Sequence, residues 1–198
     1  PSARVSPAMA SLGVDGKIVL FGGTDGTNNL VDTWTFDPNQ QNEWEQVNAD
    51  ATIFSPDSRA THAMASLGKS HVLLFGGLHP VDGGNHLAVG TWTFDVNTNF
   101  WTKINTTSAA PALRQYSAMA LLGESETVVL FGGVDDDLFN DTWMFERNNS
   151  DWQQLHPTSA PSSRNQHAMA SLGNDHQLVL FGGIDYSGDR FDDTWLFD

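Results

Sequence analysis

Cysteine is absent from this 198-residue chain, and basic residues are scarce, with nine Lys and Arg against 24 Asp and Glu. Without cysteine the chain has no disulfides, no Cys-ligated zinc or iron–sulfur cluster and no thiol nucleophile. The formal net charge of −15 opposes nonspecific nucleic-acid binding, which requires a basic surface. No apolar run approaches the ~20 residues of a membrane-spanning helix, so we expect no membrane insertion.

Signatures of several enzyme classes are missing as well. The sequence contains neither a Gly-x-Ser-x-Gly nucleophile elbow nor the Gly-x-x-x-x-Gly-Lys motif of a phosphate-binding loop. No segment sustains the 3.6-residue period of an amphipathic helix, so we predict essentially no helix. The 39% hydrophobic and 11% aromatic content is nevertheless that of a folded chain.

What the chain does have is a four-fold internal repeat of about 50 residues. Each copy contains an Arg, an Ala-Met-Ala run, an aliphatic run ending in Phe-Gly-Gly, and a Thr-Trp pair. These landmarks are Arg4, Arg59, Arg114 and Arg164; Gly22, Gly23, Gly76, Gly77, Gly132, Gly133, Gly182 and Gly183; and Trp34, Trp92, Trp143 and Trp195. We divide the single domain 1–198 into repeats at about 1–50, 51–107, 108–157 and 158–198.

Each repeat predicts four short strands, which we call A (Ala-Met-Ala), B (ending at Phe-Gly-Gly), C (Thr-Trp) and D. Strand D carries a second Trp at Trp44, Trp101 and Trp152. A lone four-stranded sheet cannot cover both of its faces, whereas sheets arranged radially around an axis can. We therefore predict an all-β propeller of four-stranded antiparallel blades.

This combination of period, double glycine and spaced aromatics resembles the kelch repeat of β-propellers. The resemblance implies a propeller that usually has six or seven blades. Repeat 4 has no counterpart of Trp152. One interpretation is therefore a segment of a larger propeller, and the other is a small propeller closed imperfectly or by another copy. Exposed strand edges would then favour self-association.

Up-and-down strand order places the B–C and D–A connections at one end of the propeller, and these connections vary most between repeats. Variable loops on a rigid scaffold are the usual location of binding residues. The candidate binding residues are Asp25, His79, Asp82, His86, Asp135, Asp136, Asp137, Asp185 and Tyr186.

Three interpretations of these residues stay open. The acidic side chains could take Ca²⁺ or basic partner residues, or they could simply shape tight turns, which the recurrence of Asp25, Asp135 and Asp185 at one repeat position favours. His79, Asp82 and His86 have the chemistry of a transition-metal site. We otherwise predict no cofactor.

The residues that recur in all four repeats are interpreted as structural. We expect the arginines to form inter-blade hydrogen bonds to Asp32, Asp141 and Asp193, the Trp residues to pack between blades, and the paired glycines to admit close neighbours. The alternative for the arginines is a ring that binds carboxylates or sugars.

These observations favour a noncatalytic interaction scaffold that binds a protein or glycan through the variable loops. The alternatives are a sugar-modifying or metal-assisted kelch-fold enzyme and a building block of a surface assembly. Three Asn-x-Ser/Thr triplets, at Asn105, Asn140 and Asn148, permit glycosylation in a secretory setting. These triplets, together with the low number of three Lys, favour an extracellular or cell-surface protein.

Overall fold

The structure is a computed structural model, which describes residues 1–13, 16–40, 43–47, 55–81, 84–106, 109–173 and 176–198. The described residues form 17 strands and no α-helix. The strands are β1 Ala8–Ser11, β2 Ile18–Phe21, β3 Thr33–Phe36, β4 Trp44–Gln46, β5 Ala63–Ser66, β6 His71–Phe75, β7 Leu78–Val81, β8 Gly84–Leu87, β9 Thr91–Asp95, β10 Phe100–Ile104, β11 Ala118–Leu121, β12 Thr127–Phe131, β13 Thr142–Glu146, β14 Asp151–Leu155, β15 Ala168–Ser171, β16 Leu178–Phe181 and β17 Thr194–Phe197.

The strands pair into four antiparallel sheets, one for each sequence repeat. Blade 1 is β1-β2-β3-β4, blade 2 is β5-β6-β9-β10, blade 3 is β11-β12-β13-β14, and blade 4 is β15-β16-β17. The inner strands of successive blades contact one another, and all four line a central channel beside Met9, Met64, Met119 and Met169. The predicted all-β propeller of antiparallel blades is thus confirmed.

The paired glycines allow neighbouring blades to approach backbone to backbone. Gly22 and Gly23 have φ angles of 62° and 91°, which L side chains rarely adopt. A Cβ on Gly22 would lie 2.5 Å from the Arg59 carbonyl oxygen of the next blade, and one on Gly76 would lie 2.3 Å from that of Arg114. Only glycine fits these positions, because the clash is with backbone that cannot move aside.

The core consists of apolar layers between the blades. The layer between blades 1 and 2 includes Phe21, Val72 and Trp101, and that between blades 2 and 3 includes Phe75, Leu130 and Trp152. Burial alternates along the strands because successive side chains point to opposite faces of a blade. Each face therefore packs against a different neighbour, which explains the near-continuous apolar composition of strand B.

The Trp residues of strand D connect each blade to the preceding one. Trp152 stacks edge-on against Phe75 at 5.4 Å between ring centroids, and its indole Nε1 donates to Thr91 Oγ1 at 2.8 Å. Trp101 repeats the arrangement with Phe21 and Thr33, the latter at 2.9 Å. Each of these two indoles is thus buried among apolar side chains while its N–H group keeps a hydrogen-bond partner.

Blade 4 has three strands, and no described strand pairs with the outer edge of β17. An open apolar groove of about 50 Å³ lies between blades 3 and 4, where Phe131, Thr142 and Phe197 correspond to the surroundings of Trp152. On the far side of blade 4, Phe181 is 55% exposed, whereas its counterpart Phe21 is fully buried. The apolar surface of blade 4 is therefore the least covered.

The B–C connection of repeat 2 differs from the loop that we expected. Leu78–Val81 and Gly84–Leu87 form a two-stranded hairpin, with His79 directly opposite His86. The corresponding connections of the other repeats contain only isolated bridges, such as Thr24 with Asn29. The hairpin thus makes blade 2 the blade with the most extended loop structure.

We expect Trp152→Ala to lower the free energy of unfolding by about 3–5 kcal/mol, because it removes a buried indole from the layer between blades 2 and 3. Trp44→Ala is the matched control, since Trp44 is only half-buried on the outer face of blade 1. Trp44→Ala should lower the free energy of unfolding by only about 1–2 kcal/mol. Urea titrations followed by circular dichroism would measure both, and equal losses would contradict the assigned role.

Candidate interaction face

The variable connections lie together at one end of the propeller. In every blade, the residue that follows the repeated Arg bridges to the residue that follows the double glycine. The pairs are Val5 with Thr24, Ala60 with Leu78, Gln115 with Val134 and Asn165 with Ile184. Because the bridges of blades 2, 3 and 4 each join a D–A connection to a B–C connection, both kinds of connection share one end, which we call the loop face.

Three of the predicted binding residues have a defined role in their own loops. Asp25 Oδ1 accepts the backbone N–H groups of Thr27 and Asn28, both at 2.8 Å. Asp185 accepts two such bonds and Asp135 accepts one. The N–H groups of Asn28 and Thr27 lower the pKa of Asp25, since they favour the carboxylate. The geometry is that of Asx turns, in agreement with the turn interpretation.

The remaining acidic and aromatic candidates are open to partners. Asp136 and Asp137 are exposed, and Tyr186 is 80% exposed. The backbone N–H of Asp137 donates to Asp135, but the side chains of these three residues form no hydrogen bond or ion pair with other described residues. Their orientation is therefore not fixed by such contacts.

The histidine candidates lie on the β7–β8 hairpin. His79 Nδ1 forms a hydrogen bond with the Ser58 carbonyl oxygen at 2.9 Å, while His86 is exposed. Asp82 lies outside the described residues. Among residues that the structure does describe, no three His, Asp or Glu side chains are grouped as metal ligands. The metal and Ca²⁺ hypotheses stay predictions.

The repeated arginines form bidentate pairs with the aspartates named from the sequence, but within blades rather than between them. Arg114 Nη1 and Nη2 donate to Asp141 Oδ1 and Oδ2 at 2.5 and 2.9 Å. Arg4 pairs with Asp32 and Arg164 with Asp193 in the same way. The inter-blade expectation is wrong for these side chains, because each Arg and its Asp flank strands of one sheet.

It is the arginine backbone that crosses between blades. The N–H of Gly23 donates to the Arg59 carbonyl oxygen at 2.9 Å, and Gly77 and Gly133 donate to Arg114 and Arg164 at the same distance. Each guanidinium also donates to the carbonyl oxygen of the first glycine in its own blade, for instance Arg114 to Gly132 at 3.1 Å. The recurring Arg therefore joins the double glycines of two successive blades.

Each Asp is also bonded to the Trp two residues later. Trp143 Nε1 donates to Asp141 Oδ2 at 2.6 Å. Burial opposes ionisation of Asp141, but the hydrogen bonds from Arg114 and Trp143 outweigh it and keep its pKa below the ordinary value. For the less buried Asp193, the hydrogen bond from Arg164 lowers the pKa to about 2.

Sequence reasoning missed two features of this region. The Arg114 guanidinium lies 3.8 Å from the ring centroid of Phe139, and Arg164 lies 4.0 Å from that of Phe191. Phe139 and Phe191 both stand two residues before the repeated Asp, which is the signal that could have revealed the stacking. The arrangement adds cation–π attraction to an already paired charge.

The second missed feature is a pair of buried neutral histidines, His62 and His167, at the start of blades 2 and 4. Each ring contacts a Phe of the preceding blade edge-on, at 5.7 Å from Phe21 and 5.5 Å from Phe131. Burial lowers the pKa of His62 to about 3 and that of His167 to about 4, and the neighbouring arginines act in the same direction.

The bladed sheets, double glycines and Arg-Asp-Trp triads define a β-propeller built from kelch repeats. The family model for the KLHDC2/KLHL20/DRC7 Kelch-repeats domain matches residues 1–183. The chain therefore belongs to this family of Kelch-repeat domains, whose propellers generally serve as scaffolds that bind protein partners. In the part of the chain that the structure describes, no helix is long and apolar enough to cross a membrane.

Several curated proteins are similar to the chain. The flagellar outer arm dynein alpha chain of Chlamydomonas reinhardtii is 31% identical over 150 residues, which are 70% of this chain. Kelch repeat-containing protein 2 of Saccharomyces cerevisiae is 26% identical over 72% of the chain, and the Rho GTPase-activating protein gacHH of Dictyostelium discoideum is 28% identical over 71%. The chain spans 3, 17 and 9% of the lengths of these three relatives, respectively.

We expect Asp141→Asn to lower the free energy of unfolding by about 3–5 kcal/mol, because it leaves the fully buried Arg114 without a negative partner. Asp37→Asn is the control, since Asp37 pairs with Lys17 at 3.4 Å near the surface and should cost at most about 1 kcal/mol. Urea unfolding of both variants measures the difference. Similar losses would show that the triad does not stabilise blade 3.

The lowered pKa values of His62 and His167 predict that stability falls as the pH drops from 7.5 to 5. In this window the unfolded chain gains protons on both imidazoles near pH 6.5, whereas the folded chain keeps them neutral down to about pH 4. Each histidine should lower the free energy of unfolding at pH 5 by about 2 kcal/mol relative to pH 7.5. Urea titrations at the two pH values measure the loss.

The control is the double variant His62→Ser/His167→Ser, since Ser117 occupies this position in blade 3. Its stability should change by about 4 kcal/mol less between the two pH values than that of the parent chain. His71, whose pKa is also lowered by burial, is present in both proteins and cancels in the comparison. An equally steep pH dependence in the variant would refute the assignment.

Proposed function

We propose that the chain is a noncatalytic protein-interaction module that binds a basic partner surface through its loop face. The observation that carries this proposal is the contrast between constant scaffold residues and exposed loop residues. In blades 1, 3 and 4 the Arg, Asp and Trp side chains form hydrogen bonds with one another and stabilise the blade. By contrast, Asp136, Asp137 and Tyr186 are exposed at the loop face.

Charge supports a basic partner. The chain carries a net charge of −15, and its exposed loop-face carboxylates include Asp136 and Asp137 of blade 3 and Asp189 and Asp192 of blade 4. Complementary charge accelerates encounter and selects against acidic partners. The guanidinium groups of Arg59, Arg114 and Arg164 are fully buried and add no exposed positive charge to this face, where Arg190 is an exposed basic residue.

The relatives support a binding role over a single shared reaction. They include a dynein alpha chain and a Rho GTPase-activating protein. Proteins with such different names contain a similar repeat region. We interpret this region as a recognition module that occurs in proteins with different activities. This interpretation concerns residues 1–198 and not a whole protein of which they are a part.

Peptide-display selection on the immobilised chain tests the proposal. We expect the selected peptides to be rich in Lys and Arg, and to bind Asp136→Lys/Asp137→Lys about tenfold or more weakly. The control is Glu43→Lys/Glu124→Lys, which makes the same charge change with exposed residues in a C–D and an A–B turn at the opposite end. Equal binding to both double variants would reject the loop face.

A glycan array tests the alternative ligand class on the same protein. The favouring observation is the 80% exposed ring of Tyr186, since exposed aromatic rings can stack on sugars. Saturable glycan binding that Tyr186→Ala abolishes, without any basic peptide selected, would replace the protein partner by a glycan.

A further inference from the structure

Blade 2 departs from the Arg-Asp-Trp pattern by a single missing side chain. Gly90 stands immediately before Thr91 and Trp92, at the position of Asp32, Asp141 and Asp193 in the other blades. Within the described ranges no carboxylate replaces it, because neither Arg59 nor Trp92 donates a hydrogen bond to an acidic side chain there.

The other two members of the triad keep their places. Arg59 is fully buried, and it donates through Nη1 to the Gly76 carbonyl oxygen at 3.1 Å and through Nε to that of Asp57 at 3.0 Å. Arg114 makes the same two bonds in blade 3, at 3.1 and 2.9 Å. The Arg59 guanidinium is thus held in the pose that receives a carboxylate elsewhere in the propeller.

Two buried donors at this position have no hydrogen-bond partner in the part of the chain that the structure describes. They are Nη2 of Arg59 and Nε1 of Trp92, the atoms whose counterparts in blade 3 donate to Asp141 Oδ2. Burial lowers the pKa of Arg59 to about 10, and the charge of nearby Asp57 offsets this shift only in part. A buried cation of this kind is costly unless an anion pairs with it.

A second cation stands beside these donors. A Cβ placed on Gly90 would lie 3.3 Å from Trp92 Nε1 and 3.8 Å from Lys103 Nζ. Lys103 Nζ also lies 5.8 Å from the centroid of the Trp92 ring. The Lys103 side chain is exposed and flexible, so it can move aside for a ligand and then close over it.

We propose that Arg59, Trp92 and Lys103 form a binding site for a small carboxylate anion in blade 2. The carboxylate takes the place of the aspartate of the other blades: Arg59 Nη2 and Trp92 Nε1 donate to its oxygens, and Lys103 provides a second positive charge. Two sources share this chemistry, a free carboxylate such as formate and an Asp or Glu side chain of a partner. The site does not depend on the loop-face function proposed above.

Asp57 is the competing group within the chain. It occupies the position of Ser2 and Ser162, whose Oγ atoms accept from Arg4 Nη2 and Arg164 Nη2 at 3.1 and 3.2 Å. In the structure the exposed Asp57 bonds Arg59 only through its backbone carbonyl oxygen. Asp57→Ala removes this competitor, and Ala112 shows that blade 3 tolerates alanine at the same position.

The experiment is a formate titration of the ¹⁵N-labelled chain at constant ionic strength, followed by the indole N–H signals in NMR spectra. We expect one indole signal, identified by its absence in Trp92→Phe, to shift in a saturable way. Lys103→Met should weaken the binding about tenfold, since a hydrogen bond to a charged group contributes about 1.5–3 kcal/mol. Lys69→Met and Trp143→Phe are controls that should leave the affinity unchanged.

A capped Gly-Asp-Gly peptide distinguishes the two sources. Displacement of formate by this peptide assigns the site to a partner side chain, and binding of formate alone assigns it to a free anion. A shift that does not saturate, or that Lys103→Met leaves unchanged, would overturn the proposal. It is equally overturned if formate binds only to Asp57→Ala, because Arg59 would then be neutralised by its own chain.

Discussion

The hydrogen bond from the second glycine of one blade to the arginine carbonyl oxygen of the next is the contact on which the propeller depends. It forms at 2.9 Å at each of the three blade junctions, and the first glycine makes it accessible because a Cβ there would lie within 2.6 Å of the same oxygen. The arginine carbonyl is in turn held in place by the bonds of its own guanidinium. A single side chain thus positions both its own blade and the junction with the previous one.

This arrangement explains why a fully buried charge recurs in a domain that could have used an apolar core throughout. Replacing Arg114 by an apolar residue would remove the desolvation cost of a charge, but it would also release the loop whose carbonyl joins blades 2 and 3. In blades 3 and 4 a Phe ring further covers the guanidinium. The four blades therefore share a backbone geometry while their loops differ in length and composition.

The architecture was predictable because its signals are local and repeated four times. Ile18–Phe21 and Thr127–Phe131 read as strands from composition alone, and the glycines mark places where no Cβ fits. The pairing of Arg114 with Asp141 was also anticipated, but its location within one blade was not, because a repeat pattern reveals which residues recur and not which copy they contact. The β7–β8 hairpin was missed because Pro80 and two neighbouring glycines at positions 83 and 84 indicate a loop by residue preference.

The candidate site was less predictable than the fold for a physical reason. The role of Asp25 in its turn follows from local spacing, whereas the burial of His62 depends on Phe21 of another repeat. The donors of Arg59 and Trp92 that have no partner among the described residues could be located only in three dimensions, although Gly90 marks the departure in the sequence. Packing between distant parts of the chain decides which buried polar groups find hydrogen-bond partners. A single sequence does not reveal that packing.

The two-sided packing of blades 2 and 3 has a consequence for how they open. In a structure whose units contact only their neighbours, local opening free energies follow the number and quality of junctions that each unit makes. The buried strands β6 and β12 each contribute to apolar layers on both faces of their blade. Exchange of their backbone amides should therefore require two layers to separate, and we expect these strands to be among the most protected of the described residues.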